Sequence, residues 1–216
     1  ESPTGKSLEG ITLTDNQAIA PTGELDAMLF KEDTSTGKHR FFSNSFVVIS
    51  GTTYTLSMFV KNNGSDRYVF INAGALLNKS GSFNLQNQHV TSHVQVFNNY
   101  GNGWYRIGIT ATAPSTTSTN FSVQMQETPS DISYTGDESS MFIWGLQFEQ
   151  SSEVTSYIPN LATGSTSRNA EGCSVTTPSG VTQIVETFSD NTTNTITTIP
   201  ATYNVSSGKI KKVIMT

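Results

Sequence analysis

The sequence has almost no cysteine. Of its 216 residues only Cys173 is a cysteine, so no disulfide can form within the chain. This argues against a small secreted module that is stabilised by crosslinks. No set of Cys or His partners surrounds Cys173 in the sequence, and we interpret it as an inert thiol.

Charged residues are also scarce, at 13% of the chain, and the formal net charge is −5. Binding to a phosphate backbone needs clustered lysines and arginines, so this balance argues against a nucleic-acid partner. We interpret the one basic cluster, Lys209, Lys211 and Lys212, as a solvated strand edge that discourages aggregation. No apolar stretch approaches the roughly 20 residues of a membrane span, so membrane insertion is not expected.

Recognisable catalytic motifs are lacking. The three histidines, His39, His89 and His93, are not accompanied by a nucleophile elbow or a comparable motif. On a strand, His89 and His93 would lie roughly 13 Å apart along the axis, too far for one metal ion. Glycoside hydrolysis needs two carboxylates across a cleft, and nothing favours a pair such as Glu149 with Glu127. We therefore predict that the protein is not an enzyme.

No cofactor is expected, with one alternative left open. Asp131, Asp137 and Glu138 lie in one predicted loop, and loop carboxylates are typical calcium ligands. The loop therefore either binds a structural Ca²⁺ or carries three solvated acids. No EF-hand pattern supports the first interpretation.

The residues that are abundant point to β structure. Ser, Thr, Asn, Gln and Gly fill the composition, hydrophobic residues reach only 35%, and 12 Phe contribute to 10% aromatics. Apolar and polar residues alternate with a period of two, which is typical of half-buried strands. The predicted strands are 11–13, 27–30, 54–61, 68–77, 83–85, 89–97, 104–113, 121–127 and 141–150. Many short strands separated by turns predict an all-β, antiparallel β-sandwich of the jelly-roll type.

The predicted strand at 141–150 contains four large apolar residues at alternate positions. Phe142, Trp144, Leu146 and Phe148 alternate with other residues of the strand, so we predict that Trp144 lies in the core with the other three. We expect Tyr157 to anchor a final crossing of the chain over the sheet.

The composition changes after residue 160, which predicts a division of the chain. We assign residues 1–172 to the jelly roll and residues 173–216 to a short β-rich segment. In the latter, 181–188 and 194–199 form a predicted hairpin, with short strands at 201–205 and 209–215. A few strands alone bury too little to be stable, so this segment is expected to serve in packing, assembly or contact with a partner.

Three segments resemble a known family. They are GTTYTLSMFVK at 51–61, NGWYRIGITAT at 102–112, and FIWGLQFEQ at 142–150, which continues into TSYIP at 155–159 and Ser167-Arg168. Together they are similar to the carbohydrate-binding-module-like jelly-roll domains of phage tail fibre and other virion proteins, over roughly residues 10–172. The resemblance implies a jelly roll on a virion surface or in another extracellular setting, and contact with glycans. It does not place a binding site.

A glycan site needs a stacking aromatic and planar polar groups for directed hydrogen bonds. The polar strand faces supply Gln95, Gln124, Gln126 and Gln147, with Arg106 and Glu149; Tyr100 and Trp104 could supply the stacking. If their sheets are neighbours, these side chains would line one concave face. Two alternatives stay open: the amides form a solvated sheet face, and Trp104 plugs one end of the sandwich.

Two functions are therefore compared. In the first, the chain is a phage tail fibre-like domain that binds bacterial surface polysaccharide without catalysis. In the second, it is a purely structural virion protein, such as a capsid decoration, a head fibre or a fibre spacer. Either would contact other virion proteins and fit a homo-oligomer, and the family's setting makes a trimer the typical case.

Overall fold

The computed structural model describes residues 7–74, 79–91, 96–158, 174–188, 192–204 and 210–216. Strands make up 58% of the chain and helix 1%, so the predicted all-β class is confirmed. No helix in the described ranges is long and apolar enough to cross a membrane. The chain divides into two compact units, Glu1–Leu161 and Ala162–Thr216. The predicted boundary after residue 172 lies outside the described residues and stays a prediction.

The first unit consists of strands joined by turns and loops. Its strands are β1 (Ser7–Glu9), β2 (Ile11–Ile19), β3 (Leu25–Glu32), β4 (Thr36–Gly37), β5 (His39–Phe42), β6 (Phe46–Val48), β7 (Thr53–Asn62), β8 (Tyr68–Asn72), β9 (Ser80–Asn84), β10 (His89–Val90), β11 (Val96–Gly101), β12 (Trp104–Thr112), β13 (Thr117–Thr119), β14 (Ser122–Gln126), β15 (Tyr134–Thr135) and β16 (Ser140–Glu149).

These strands form two six-stranded antiparallel sheets that pack face to face. Sheet A has the order β1-β5-β14-β8-β9-β10, and sheet B has the order β11-β12-β7-β16-β3-β2. Two short pairs, β6 with β13 and β4 with β15, flank them. The predicted β-sandwich is therefore confirmed.

The alternation read from the sequence decides which side chains fill the space between the sheets. Leu56, Met58 and Val60 of β7 are buried there, opposite Val123 and Met125 of β14. Each such side chain contributes roughly 1.5–3 kcal/mol when it is fully buried. The intervening residues of each strand therefore face outward from the sandwich.

A β-bulge interrupts this alternation in β16. The register of β16 against β7 shifts between Trp144 and Gln147, and Gly145 has φ +60. Ile143 faces the core before the bulge and Leu146 faces it afterwards, because the extra residue reverses the parity of the strand. The predicted burial of Trp144 is confirmed, but the expectation that it packs in one core with Leu146 and Phe148 is wrong for this reason.

Trp144 instead belongs to a second apolar group on the outer face of sheet B, which we call the outer aromatic cluster. It comprises Ala20, Ala27, Phe59, Trp104 and Trp144. Tyr157 covers it, with its ring centroid 4.4 Å from that of Trp144. The expectation that Tyr157 anchors a crossing over the sheet is confirmed.

The second unit contains two small antiparallel sheets. Its strands are β17 (Ser174–Thr176), β18 (Ile184–Phe188), β19 (Thr193–Ile196), β20 (Thr202–Asn204) and β21 (Ile210–Met215). The predicted hairpin is confirmed, since β18 pairs with β19, and β21 completes the order β19-β18-β21. Glu186 is buried here and accepts hydrogen bonds from Asn194 and Tyr203. Cys173 and Lys209 lie outside the described residues.

Candidate functional site

The structure divides the predicted row of polar side chains between the two sheets. Gln124 and Gln126 lie on β14 of sheet A, whereas Arg106 lies on β12 and Gln147 and Glu149 lie on β16 of sheet B. This corrects the expectation that all of them line one concave face, because the sequence does not reveal which strands become neighbours. Gln95 lies outside the described residues. Whether any of these side chains binds a glycan stays a prediction.

The two glutamines of sheet A are buried rather than solvated. Gln124 is 2% exposed, and its Nε2 donates to the carbonyl oxygen of Ile132 at 2.8 Å. Gln126 is fully buried, and its Oε1 accepts from the Ser82 hydroxyl at 2.9 Å. These amides hold a loop and a neighbouring strand in place, so a ligand does not reach them in this structure.

The polar side chains of sheet B fasten residues 150–158, a segment that we call the strap, across the outer face of that sheet. Glu149 accepts hydrogen bonds from the Thr155 amide at 3.1 Å and from its hydroxyl at 2.6 Å. Gln147 donates to the same hydroxyl at 3.2 Å and accepts from the Ile158 amide at 2.9 Å. Both residues are therefore positioning residues for the strap.

Arg106 fastens the strap from the neighbouring strand. Its Nη1 donates to the Thr155 carbonyl oxygen at 2.5 Å, and its Nη2 donates to the Ser57 hydroxyl at 3.1 Å. The guanidinium lies 5.0 Å from the ring centroid of Phe59, a distance at which a cation is attracted to the aromatic face. Arg106 is only 3% exposed, so its side chain lies at the base of the surface between β12 and the strap.

Of the two predicted stacking aromatics, only Tyr100 is exposed. Trp104 is buried in the outer aromatic cluster, and its indole N–H donates to the Ile19 carbonyl oxygen at 3.1 Å. Tyr100 is 54% exposed, and its ring lies edge-on to that of Phe59 with the centroids 5.0 Å apart. The hairpin turn that follows Tyr100 is fixed by Gly101, at φ +81, a conformation that glycine adopts without strain.

A depression of about 260 Å³ lies between β11, β12 and the strap, and we call it the strap hollow. It is lined by Val96, Asn98, Tyr100, Arg106, Thr110 and residues 152–154. Asn98, Ser152 and Glu153 are exposed at its rim. The hollow thus combines an aromatic ring with an amide, a hydroxyl and a carboxylate. The sequence did not single out Asn98 or Glu153, because the strap brings them together from distant parts of the chain.

A second depression, also of about 260 Å³, lies on the other side of Tyr100, and we call it the hairpin hollow. It is lined by residues 19–21, Gly23, Lys61, residues 100–102 and Trp104. Its lining includes the apolar side chain of Ile19, which is 55% exposed, the exposed polar residue Asn102, and one charged side chain, Lys61. Tyr100 is therefore shared by two neighbouring depressions.

A buried charged cluster that was not predicted occupies a different part of the first unit. Glu32 is 1% exposed and accepts from the Arg67 guanidinium at 2.9 and 3.1 Å, from the Tyr134 hydroxyl at 2.5 Å and from the Asp137 amide at 3.1 Å. Arg67 also pairs with Asp137 at 3.1 Å and with Glu127 at 3.6 Å. The cluster ties β3 to the loops on either side of β15.

The pKa values in this cluster are shifted. Hydrogen bonds with Ser139 and Glu32, together with the positive charge of Arg67, lower the pKa of Asp137 to about 2. Burial, together with the hydrogen bond to Glu32, raises the pKa of the Tyr134 hydroxyl well above its ordinary value. Tyr134 is thus kept as a neutral donor, and the cluster acts as a structural clamp.

The three loop acids considered as calcium ligands do not converge. Each has a different partner, namely Thr128 for Asp131, Arg67 for Asp137 and Lys31 for Glu138. Within the described ranges no group of three or more His, Cys, Asp or Glu side chains could hold a metal ion. Calcium binding stays a prediction to which the structure adds no site.

His39 is buried, and its two ring nitrogens face the carbonyl oxygens of Gly10 and Tyr134.

Comparisons with known proteins give distant structural similarities, of which two are described. No protein-family model and no curated protein matches the chain. The enzymatically active domain of tailspike protein 4 from bacteriophage CBA120 superimposes with a TM-score of 0.40 and 11% identity, over 68% of this chain and 19% of that one. The CBM22-1–GH10 modules of Clostridium thermocellum endo-1,4-β-D-xylanase 10B, complexed with xylohexaose, superimpose with a TM-score of 0.37 and 16% identity, over 68% of this chain and 26% of that one.

The chain thus spans about a fifth to a quarter of the length of these two structures. The phage origin, the enzymatic activity and the bound xylohexaose belong to those proteins.

Proposed function

We propose that this chain is a non-catalytic glycan-binding domain of a bacteriophage appendage, and that bacterial surface polysaccharide binds in the strap hollow. The observation that carries this proposal is the exposed ring of Tyr100 beside a depression with exposed polar groups. A sugar ring has a C–H face that stacks on an aromatic ring and an edge of hydroxyls that need directed partners. The strap hollow offers both kinds of contact.

The polar rim is suited to several hydroxyls at once. The Asn98 amide both donates and accepts, the Ser152 hydroxyl does the same, and the Glu153 carboxylate accepts. The walls are held by hydrogen bonds between the strap and the side chains of Arg106, Gln147 and Glu149. A site that is formed before the ligand arrives loses less conformational entropy on binding.

The absence of catalysis is part of the proposal. Both oxygens of Glu149 accept hydrogen bonds from Thr155, which supports a role for this carboxylate in holding the strap. The strap hollow contains one carboxylate, Glu153, whereas glycoside hydrolysis in most families uses two that flank the scissile bond. A placement on the virion surface rests on the resemblance of residues 51–61, 102–112 and 142–159 to phage fibre domains.

The proposal is tested by screening the purified protein against an array of bacterial surface polysaccharides. We expect specific binding that is weakened roughly tenfold by Tyr100→Ala and similarly by Asn98→Ala, which corresponds to about 1.4 kcal/mol for each contact. Tyr100→Phe keeps the ring and should retain most of the binding.

Ile132→Ala is the matched control, because Ile132 is 51% exposed, close to the exposure of Tyr100, and does not line the strap hollow. It should leave binding unchanged. A correctly folded wild-type protein that binds nothing on the array would contradict the proposal and favour a structural role in the virion.

A further inference from the structure

The hairpin hollow has a charge that suits a particular kind of ligand. Lys61 is its one charged lining residue, and no acidic side chain lines it. The aliphatic stem of Lys61 lies along the turn of the β11–β12 hairpin, where a Cβ on Gly103 would come within 3.5 Å of Lys61 Cε. The turn thus holds the stem of Lys61 in place beside the hollow.

Lys61 is not neutralised by a neighbour in the described part of the chain. None of the ion pairs found there involves it, although Lys31, Arg40 and Arg67 all have carboxylate partners. Lys61 is half-buried and lines the same depression as Ile19 and Trp104, and an anion that bound there would be attracted to its ammonium. An anionic group of a ligand would complete this site.

We propose that the glycan bound by this domain carries an anionic substituent and that the hairpin hollow binds it through Lys61. The inference rests on the proposed function, since it assigns a second position to the same ligand. A carboxylate and a phosphate on a sugar both carry the negative charge that would pair with the Lys61 ammonium, and the test distinguishes one from the other.

The two hollows are arranged so that one extended glycan reaches both. The strap hollow lies along β12 as far as Thr110, and the hairpin hollow includes Trp104 at the start of the same strand. A rise of about 3.3 Å per residue makes this run roughly 20 Å long. Tyr100 stands between the hollows, so the sugar stacked on it would have neighbours on both sides. The strap hollow is lined by one cation, Arg106, and one carboxylate, Glu153, whereas the hairpin hollow is lined by Lys61 and no carboxylate, so we place the anionic unit in the hairpin hollow.

The test uses the full chain and an array on which each bacterial polysaccharide is printed in three forms: native, carboxyl-reduced and dephosphorylated. We expect wild-type protein to prefer native acidic polysaccharides. Lys61→Met should weaken that binding at least about fivefold, the effect of about 1 kcal/mol, while Lys61→Arg should retain it. Added salt should weaken wild-type binding and leave the residual binding of Lys61→Met nearly unchanged.

Lys38→Met is the matched control, because it makes the same change of charge at another half-buried lysine of the unit that does not line the hollow. Lost binding on carboxyl-reduced forms would identify a carboxylate, and lost binding on dephosphorylated forms would identify a phosphate; either result supports the inference. Equal binding to all forms, with no effect of Lys61→Met, would overturn it and leave the proposed function intact, provided that Tyr100→Ala still weakens binding. No binding to any form would overturn both.

Discussion

Glu32 is a charged residue at a position where the alternation of β3 places a core residue. Met28 and Phe30 face the interior of the sandwich, and Glu32 has the same parity. A buried carboxylate is tolerated when it is paired and hydrogen-bonded, and Arg67 with the Tyr134 hydroxyl meets this requirement. An acid at core parity in an alternating strand is thus a signal in the sequence, although it does not name the partner.

We predict that Glu32→Gln lowers the free energy of unfolding by about 3 kcal/mol, because it leaves the buried Arg67 guanidinium without its main counter-charge. Urea denaturation followed by tryptophan fluorescence measures this change. The matched control is Glu9→Gln, which breaks the ion pair with Arg40. Its carboxylate is half-exposed, so the expected loss is below about 1 kcal/mol. Equal losses for the two variants would show that the Glu32 cluster is not a structural clamp.

For the polar side chains of β14, the sequence predicts correctly which face of the strand they occupy, but not whether they are exposed. Gln124 and Gln126 have outward parity on β14, as predicted, yet both are buried. Gln124 is hydrogen-bonded to the carbonyl of Ile132, and Gln126 to the hydroxyl of Ser82. Parity is a local property of a strand, whereas burial depends on loops that return from elsewhere in the chain. For the same reason Asn98, Glu153 and Lys61 were not recognised as lining residues of the hollows.

At the scale of the element, the strap explains why the segment from Trp144 to Ile158 is distinctive in sequence. Gln147 and Glu149 project outward from β16 after the bulge, and they hold the strap that β16 itself leads into. Tyr157 then covers Trp144. The motif that carries the family resemblance therefore encodes a way of closing the outer face of sheet B.

We predict that Thr155→Val loosens the strap while the sandwich remains folded. The substitution removes the hydroxyl that donates to Glu149 and accepts from Gln147, so both polar groups lose a partner at a cost of about 1–3 kcal/mol. Hydrogen exchange of the Ile158 amide should become faster, and glycan binding in the strap hollow should weaken.

Thr14→Val makes the same chemical change at an exposed position of β2 and should alter neither the exchange rate nor the binding. Unchanged exchange at Ile158 in Thr155→Val would contradict the role assigned to the Thr155 hydroxyl.

For the whole molecule, the sandwich could be predicted because its strands are short, alternating and separated by clear turn signals. The order of strands in each sheet could not, since neighbours such as β14 and β8 are distant in sequence and no local pattern specifies their pairing. The bulge in β16 shows the same limit within one strand. A single extra residue places Trp144 and Leu146 on opposite faces of sheet B. The sequence itself continues to alternate with a period of two through the bulge, so it does not reveal the change of face.

The second unit raises the question of assembly. Its three-stranded sheet ends at β19, whose residues Thr193, Asn194 and Thr195 are exposed and uncharged. Proteins that must avoid pairing at a sheet edge usually place a lysine, a proline or a bulge there, and β19 has none of these. Among the described residues this neutral edge has no further strand beside it, which favours pairing with another chain, and closed symmetric oligomers of identical chains are the usual outcome.

We therefore predict that the protein sediments as a homo-oligomer at micromolar concentration and that Thr195→Lys shifts it towards the monomer, because a charge on the edge strand opposes pairing. Ser130→Lys, which adds the same charge to an exposed loop of the first unit, should leave the oligomer intact. Sedimentation velocity of the three proteins distinguishes these cases. A monomeric wild-type protein would mean that the β19 edge serves another partner or none. Glycan contacts would then have to act singly, without the gain in avidity that several linked sites provide.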